Sequence, residues 1–150
     1  MALREVCQFG IHFALTRNMD KKHLLLVDKD KNLLNTFAFL LKAAGYKVTT
    51  AINGQDALKT ISAGSIDLLI TDIRMSGLSG QKLIDELNRL GVKIPVVVIN
   101  GFGNHKPTAE LKRKGCAAYF EKPFDEEMFL RRIRSILEKS AHGSCGGNDV

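Results

Sequence analysis

The feature that most limits how this chain can fold is a rhythm of two alternating apolar patterns. Five short runs rich in β-formers, HLLLVD (23–28), KVTTAI (47–52), DLLIT (67–71), IPVVVIN (94–100) and AAYF (117–120), read as strands. The segments between them carry helical spacing instead. Leu33, Leu34, Phe37, Leu40 and Leu41 share one face, Asp30 is placed to cap the start of that helix, and Gly45 stops it after Ala44. A second helix follows Asn53 and Gly54 with Ala57, Leu58 and Ile61 inward. A third carries Leu83, Ile84, Leu87 and Leu90 and ends at Gly91. The fourth, around Thr108 to Lys114, is weakly amphipathic, and the fifth runs from Asp125 to about Lys139.

Repeated strand–helix units imply a mostly parallel sheet with helices on both faces and right-handed crossovers. In the doubly wound order 2-1-3-4-5, strands 1 and 3 are neighbours at the switch point, and ligands sit outside the carboxyl ends of the strands. The residues expected along that rim are Asp28, Asp72, Asn100 and Lys122. Adjacent strands lie about 4.8 Å apart, so one cation could bridge Asp28 and Asp72. Without a cation the two carboxylates would repel each other.

A chain of 150 residues, 45% hydrophobic and 25% charged, suits one globular domain. The formal net charge of +6 permits an acidic or nucleic-acid partner, but no aromatic residues interleave with the Lys and Arg as a stacking platform requires. Cys7, Cys116 and Cys145 form no CxxC pair and leave one over, which argues against a metal cluster or a disulfide framework. Cys116 reads as a small hydrophobe in a reducing compartment. No apolar run approaches the roughly 18 residues of a membrane span. Residues 1–21 read as an N-terminal extension, with MDKKHLLLVD from Met19 resembling a natural start. Residues 22–139 read as the domain, and the small, polar, Gly-rich 140–150 as a flexible tail.

Four segments, LLLVDKDKNLL, LLITDIRMSGLSG, VVVINGFG and YFEKPFD, resemble in order and spacing the signature segments of response-regulator receiver domains of two-component signalling. The resemblance implies a flavodoxin-like doubly wound (βα)5 fold with a five-stranded parallel sheet, and a cytoplasmic phosphoprotein rather than an enzyme. It implies phosphotransfer from a sensor histidine kinase or a phosphotransfer protein to Asp72 as an aspartyl phosphate. Mg²⁺ would be held by Asp28, Asp72 and the backbone carbonyl of Arg74, with Asp30 as a further candidate. Lys122 would contact the phosphoryl oxygens, Asn100 takes the place of the switch hydroxyl, Gly101 leaves space above the acceptor, and Tyr119 matches the aromatic rotamer switch.

Two departures stand out. The family usually has two consecutive acids at the end of strand 1, and here the second is Lys29, which has no acceptor atom and cannot ligate Mg²⁺ while protonated. Three arrangements are open: its ammonium turns inward between Asp28 and Asp72 in place of the metal, it points to solvent and leaves a weaker Mg²⁺ site, or the site is dead. The other departure is Asn100 where Thr or Ser is usual.

The resemblance implies signalling through the face of the fourth helix, fifth strand and fifth helix, which carries Lys106, Lys112, Arg113, Lys114, Arg131, Arg132 and Arg134. That face suits an acidic downstream protein partner or a homodimer. The same charges also follow from helix electrostatics, since Asp125, Glu126 and Glu127 start the fifth helix. The residues after 139 are too few for an attached DNA-binding domain, so the expectation is either output by a protein contact or a sequence that is one domain of a longer chain. The alternative is a phosphorylation-independent adaptor with Lys29 replacing a metal ligand. A flavodoxin-like enzyme is disfavoured because no Gly-rich phosphate loop follows strand 1.

Overall fold

In the computed structural model of the chain, the described residues are 21–73, 79–100, 108–122 and 124–141. Among them five strands, β1 (His23–Val27), β2 (Lys47–Ala51), β3 (Leu68–Asp72), β4 (Val96–Asn100) and β5 (Cys116–Glu121), alternate with five helices. The helices are α1 (Lys31–Ala43), α2 (Gly54–Ser62), α3 (Gly80–Arg89), α4 (Thr108–Arg113) and α5 (Glu126–Ala141). The sheet is parallel in every pairing and ordered β2-β1-β3-β4-β5, the doubly wound order expected from the alternation.

Strands covered on both faces should be apolar without alternation. All of β3 and β4 and residues 24–27 of β1 are buried accordingly. One face of the sheet packs Leu24, Leu26, Leu68 and Ile70 against α1 and α5. The opposite face packs Leu25, Val27, Leu69 and Val98 against α2, α3 and α4.

The helix ends follow the residues that the sequence offers for them. Asp30 accepts from the backbone N–H groups of Asn32 and Leu33 at the start of α1, Asn53 accepts from Asp56 at the start of α2, and Ser79 accepts from Lys82 at the start of α3. Gly45 and Gly91 leave their helices at φ values of 105° and 77°, a region that favours glycine. Two details differ from the sequence pattern. Leu90 is the C-cap of α3 and is 48% exposed, unlike the buried Leu83, Ile84 and Leu87 of that helix. Asp72 is the last residue of β3 rather than the residue after it, so the sheet's own pairing fixes its backbone.

A cluster of four rings ties the turn after β5 into the core. Phe124 lies 5.5 Å from Phe37, 5.3 Å from Phe120 and 5.1 Å from Phe129 between ring centroids. Rings at these separations add about 0.5–1.5 kcal/mol per pair beyond their area burial. Because Phe124 follows Lys122 by two residues, the cluster also fixes where the rim lysine leaves the sheet.

Phe129→Ala, which empties the centre of this cluster, is expected to lower unfolding free energy by about 3–5 kcal/mol. Phe39, 77% exposed on the outer side of α1, is expected to tolerate Ala within about 0.5 kcal/mol. Urea unfolding followed by circular dichroism measures both.

Candidate functional site

The site lies at the carboxyl edge, where β1 and β3 pair in register up to Val27↔Thr71. The next rung therefore holds Asp28 and Asp72, at ends of adjacent strands about 4.8 Å apart. Both are buried, at 3% and 6% exposure. Removing two carboxylates from water is unfavourable unless cations or N–H groups compensate.

Asp28 has such compensation on both oxygens. Its Oδ1 accepts the backbone N–H of Asp30 at 2.9 Å, and its Oδ2 lies 3.4 Å from Lys122 Nζ. The backbone N–H of Asp28 donates to the Ala51 carbonyl at 3.2 Å, which keeps β1 in register with β2 past its last residue. Lys122 arrives from the opposite side of the rim. Its N–H donates to the Asn100 carbonyl at 2.9 Å, which continues the β4–β5 ladder, and its side chain is 19% exposed.

The bond from Asp30 N–H to Asp28 Oδ1 closes a tight side-chain turn over Lys29. Lys29 sits at its apex and is exposed. The inward arrangement, with the Lys29 ammonium between the carboxylates, is therefore corrected: Lys122 supplies the ammonium beside Asp28, and Lys29 belongs to the solvated edge. Asp30 is exposed and spends its carboxylate on the N-terminal N–H groups of α1. Arg74 and Gly101 lie outside the described residues.

Asn100 ends β4 with 1% exposure, and its Nδ2 donates to the Tyr119 hydroxyl at 2.9 Å. The family resemblance singled out both residues but did not disclose that they bond directly. A further residue, Gly80, was missed. It is the first residue of α3, its N–H donates to the Ile73 carbonyl at 2.9 Å, and a Cβ there would run into the Asp72 carbonyl and lie 2.9 Å from Ile73 Cα. The second glycine of SGLSG was the available clue, legible only once the start of α3 is known to press on the backbone of Asp72.

The donor set suits a hard divalent cation of modest demand. Mg²⁺ takes one or two carboxylates and keeps several waters, and each carboxylate oxygen has more than one lone pair. Asp28 and Asp72 supply two such groups. Among the described residues no cluster of three or more His, Cys, Asp or Glu could hold a metal.

Away from the rim, a groove of about 710 Å³ runs along β5 between α4 and α5, floored by Ala117, Ala118 and Phe120 and edged by Lys112, Arg131 and Arg132. The basic residues anticipated for this face divide. Lys114 pairs with Asp85 of α3 at 3.1 Å. Arg134 turns to Tyr46, where it partly offsets the burial that pushes the Tyr46 hydroxyl upward. Lys106 lies outside the described residues. Cys116, also in the groove, is half-buried, and burial pushes its thiol up, as suits a packed rather than a reactive cysteine.

This arrangement is that of a known family. The family model for the response regulator receiver domain matches residues 24–134, and the chain belongs to that family. The transcriptional regulatory protein FixJ of Azorhizobium caulinodans is 35% identical over 119 residues, which cover 77% of this chain and 55% of the relative. The transcriptional regulatory protein GlrR of Escherichia coli is 32% identical, with 79% of this chain and 27% of the relative covered. The chain thus spans between about a quarter and just over half the length of these relatives. Among solved structures, FixJ-N superposes with a TM-score of 0.72 at 27% identity, covering 78% of this chain and 94% of that one. A CheY-like receiver domain protein from Methanospirillum hungatei gives 0.76 at 23% identity, covering 82% and 98%, and bears on the fold alone. No described helix is long and apolar enough to cross a membrane.

Two substitutions probe the rim. Lys122→Met leaves the buried Asp28 carboxylate without its cation and is expected to destabilise the fold by about 1–3 kcal/mol, measured by urea unfolding in the presence of a chelator. Gly80→Ala is expected to cost a similar amount, about 1–3 kcal/mol, through forced movement of the Asp72 backbone.

Proposed function

We propose that this receiver domain accepts a phosphoryl group on Asp72 and passes the resulting charge to its α4–β5–α5 face. The observation that carries the reading is the pairing of two buried carboxylates, Asp28 and Asp72, on one rung of the sheet with Lys122 beside them. A carboxylate oxygen of Asp72 attacks the phosphorus of a phosphohistidine on a sensor kinase or phosphotransfer protein. The nitrogen–phosphorus bond breaks, and the imidazole nitrogen keeps the electron pair and is then protonated. Lys122, already at the rim, neutralises part of the charge on the incoming phosphoryl oxygens. Bound Mg²⁺ would supply further charge neutralisation there, held by Asp28 and Asp72 with the Arg74 carbonyl as the remaining backbone ligand.

Lys29 gives this site fewer carboxylates than the family pattern. With its side chain in solvent it does not block the rim, but its positive charge lowers the attraction for a divalent ion. A weakened Mg²⁺ site follows, in a cytoplasmic domain. The apolar floor and basic edges of the groove suit an acidic partner or a second copy of the chain.

Acetyl phosphate carrying a radiolabelled phosphoryl group tests this directly. Mg²⁺-dependent label is expected on the chain and none on Asp72→Asn. Label that persists in that variant, or none on the unaltered chain under conditions that label a receiver domain with the usual pair of acids, would favour the phosphorylation-independent adaptor. Lys29→Asp is expected to strengthen Mg²⁺ binding by about tenfold or more, read by titration with and without beryllofluoride.

A further inference from the structure

The outer strand β5 is irregular where it meets β4. Val96 pairs with Cys116 and Val97 with Ala118, which leaves Ala117 as an extra residue on the edge strand. Neighbouring residues of a regular strand point to opposite faces. Ala117 and Ala118 nevertheless both pack toward the side of α1 and α5, as a bulge that re-aims one of them allows. Two adjacent side chains that end at Cβ therefore form the floor of the groove along β5 and leave room above the strand.

The walls of the groove are long side chains. Met128 of α5 is 60% exposed at its border, and an unbranched thioether adapts to irregular apolar partners. Lys112 comes from α4, and Arg131 and Arg132 from α5, while no described residue lining the groove is acidic. Arg132 is held over the bulge, its Nη2 donating to the Ala117 carbonyl at 3.4 Å. A guanidinium carries several N–H donors, so this one bond leaves others for an anion. Arg131 pairs with Glu127 at 3.4 Å, but the two side chains are 73% and 76% exposed, and so open a pair contributes little.

We propose that this groove is a binding site for a small organic acid, with an apolar chain on the alanine floor and a carboxylate held by Arg131 and Arg132. The volume of about 710 Å³ falls within the range of small-molecule sites, about 300–1,000 Å³. Charge decides the head group. An amphiphile with a cationic head would meet three like charges, whereas a carboxylate matches the planar fork of a guanidinium. An acid seated there occupies the apolar floor and basic edge that an acidic protein partner would use, so the two exclude each other. The proposal stands apart from the phosphoacceptor reading, since no group of the rim takes part in it.

Sodium decanoate is a suitable probe for the full ¹⁵N-labelled chain. It is expected to shift the backbone resonances of Ala117, Ala118 and Met128 saturably, with a Kd of about 1 mM or tighter. Decyltrimethylammonium, with the same chain and a cationic head, is expected to bind at least about tenfold more weakly. Arg131→Gln with Arg132→Gln, both at exposed positions, is expected to weaken decanoate about tenfold and decanol less than about twofold. Shifts that do not saturate, equal affinity for the two charged probes, or undiminished decanoate binding in the double variant would overturn the proposal. So would a dimer in sedimentation at the same concentration with no response to decanoate, which would give the groove to a second copy of the chain. Each of these outcomes leaves labelling of Asp72 to be decided separately.

Discussion

Two carboxylates held on one rung of a buried parallel sheet are the constraint on which the rest of this structure turns. The register of β1 with β3 places Asp28 and Asp72 side by side where water is scarce, and like charges so placed are unfavourable without a counter-charge. The fold answers from its far edge, with Lys122 at the end of β5 reaching Asp28. That reach depends in turn on the ring cluster of Phe37, Phe120, Phe124 and Phe129, which fastens the turn following Lys122 to α1 and α5. Core packing and rim electrostatics are in this sense one device.

The same rim connects to the surface through short, named contacts. Asn100 reaches Tyr119, and Tyr119 lines a groove whose floor is apolar and whose edges carry Lys112, Arg131 and Arg132. The departures from the family pattern, Lys29 and Asn100, fall on the two sides of this path. Lys29 lies exposed beside Asp28, and Asn100 lies buried against Tyr119.

Much of the fold was legible because each element carries its own boundary marks. Asp30, Asn53, Gly45 and Gly91 cap or stop helices by local backbone chemistry, and the uninterrupted apolar runs of β3 and β4 reflect burial on both faces. Leu90 shares the helical spacing of Leu83 and Leu87 but is exposed at the C-cap, which spacing alone does not disclose. The rim residues Asp28, Asp72, Asn100 and Lys122 were legible from their positions at strand ends. Gly80 was not, because its role is a close approach to the Asp72 backbone, and proximity between a helix start and a neighbouring strand end has no periodic trace.

By itself the sequence determined the order of elements, the doubly wound sheet and the set of polar residues delivered to its carboxyl edge, because hydrophobic period and strand termini are local properties. Only the tertiary structure decided which lysine serves that edge. Lys29 is adjacent to Asp28 in the chain, yet the side-chain turn from Asp28 to Asp30 puts it at an exposed apex. Lys122 is distant in the chain and supplies the ammonium, because strand pairing across the sheet and the ring cluster behind the last turn bring it there.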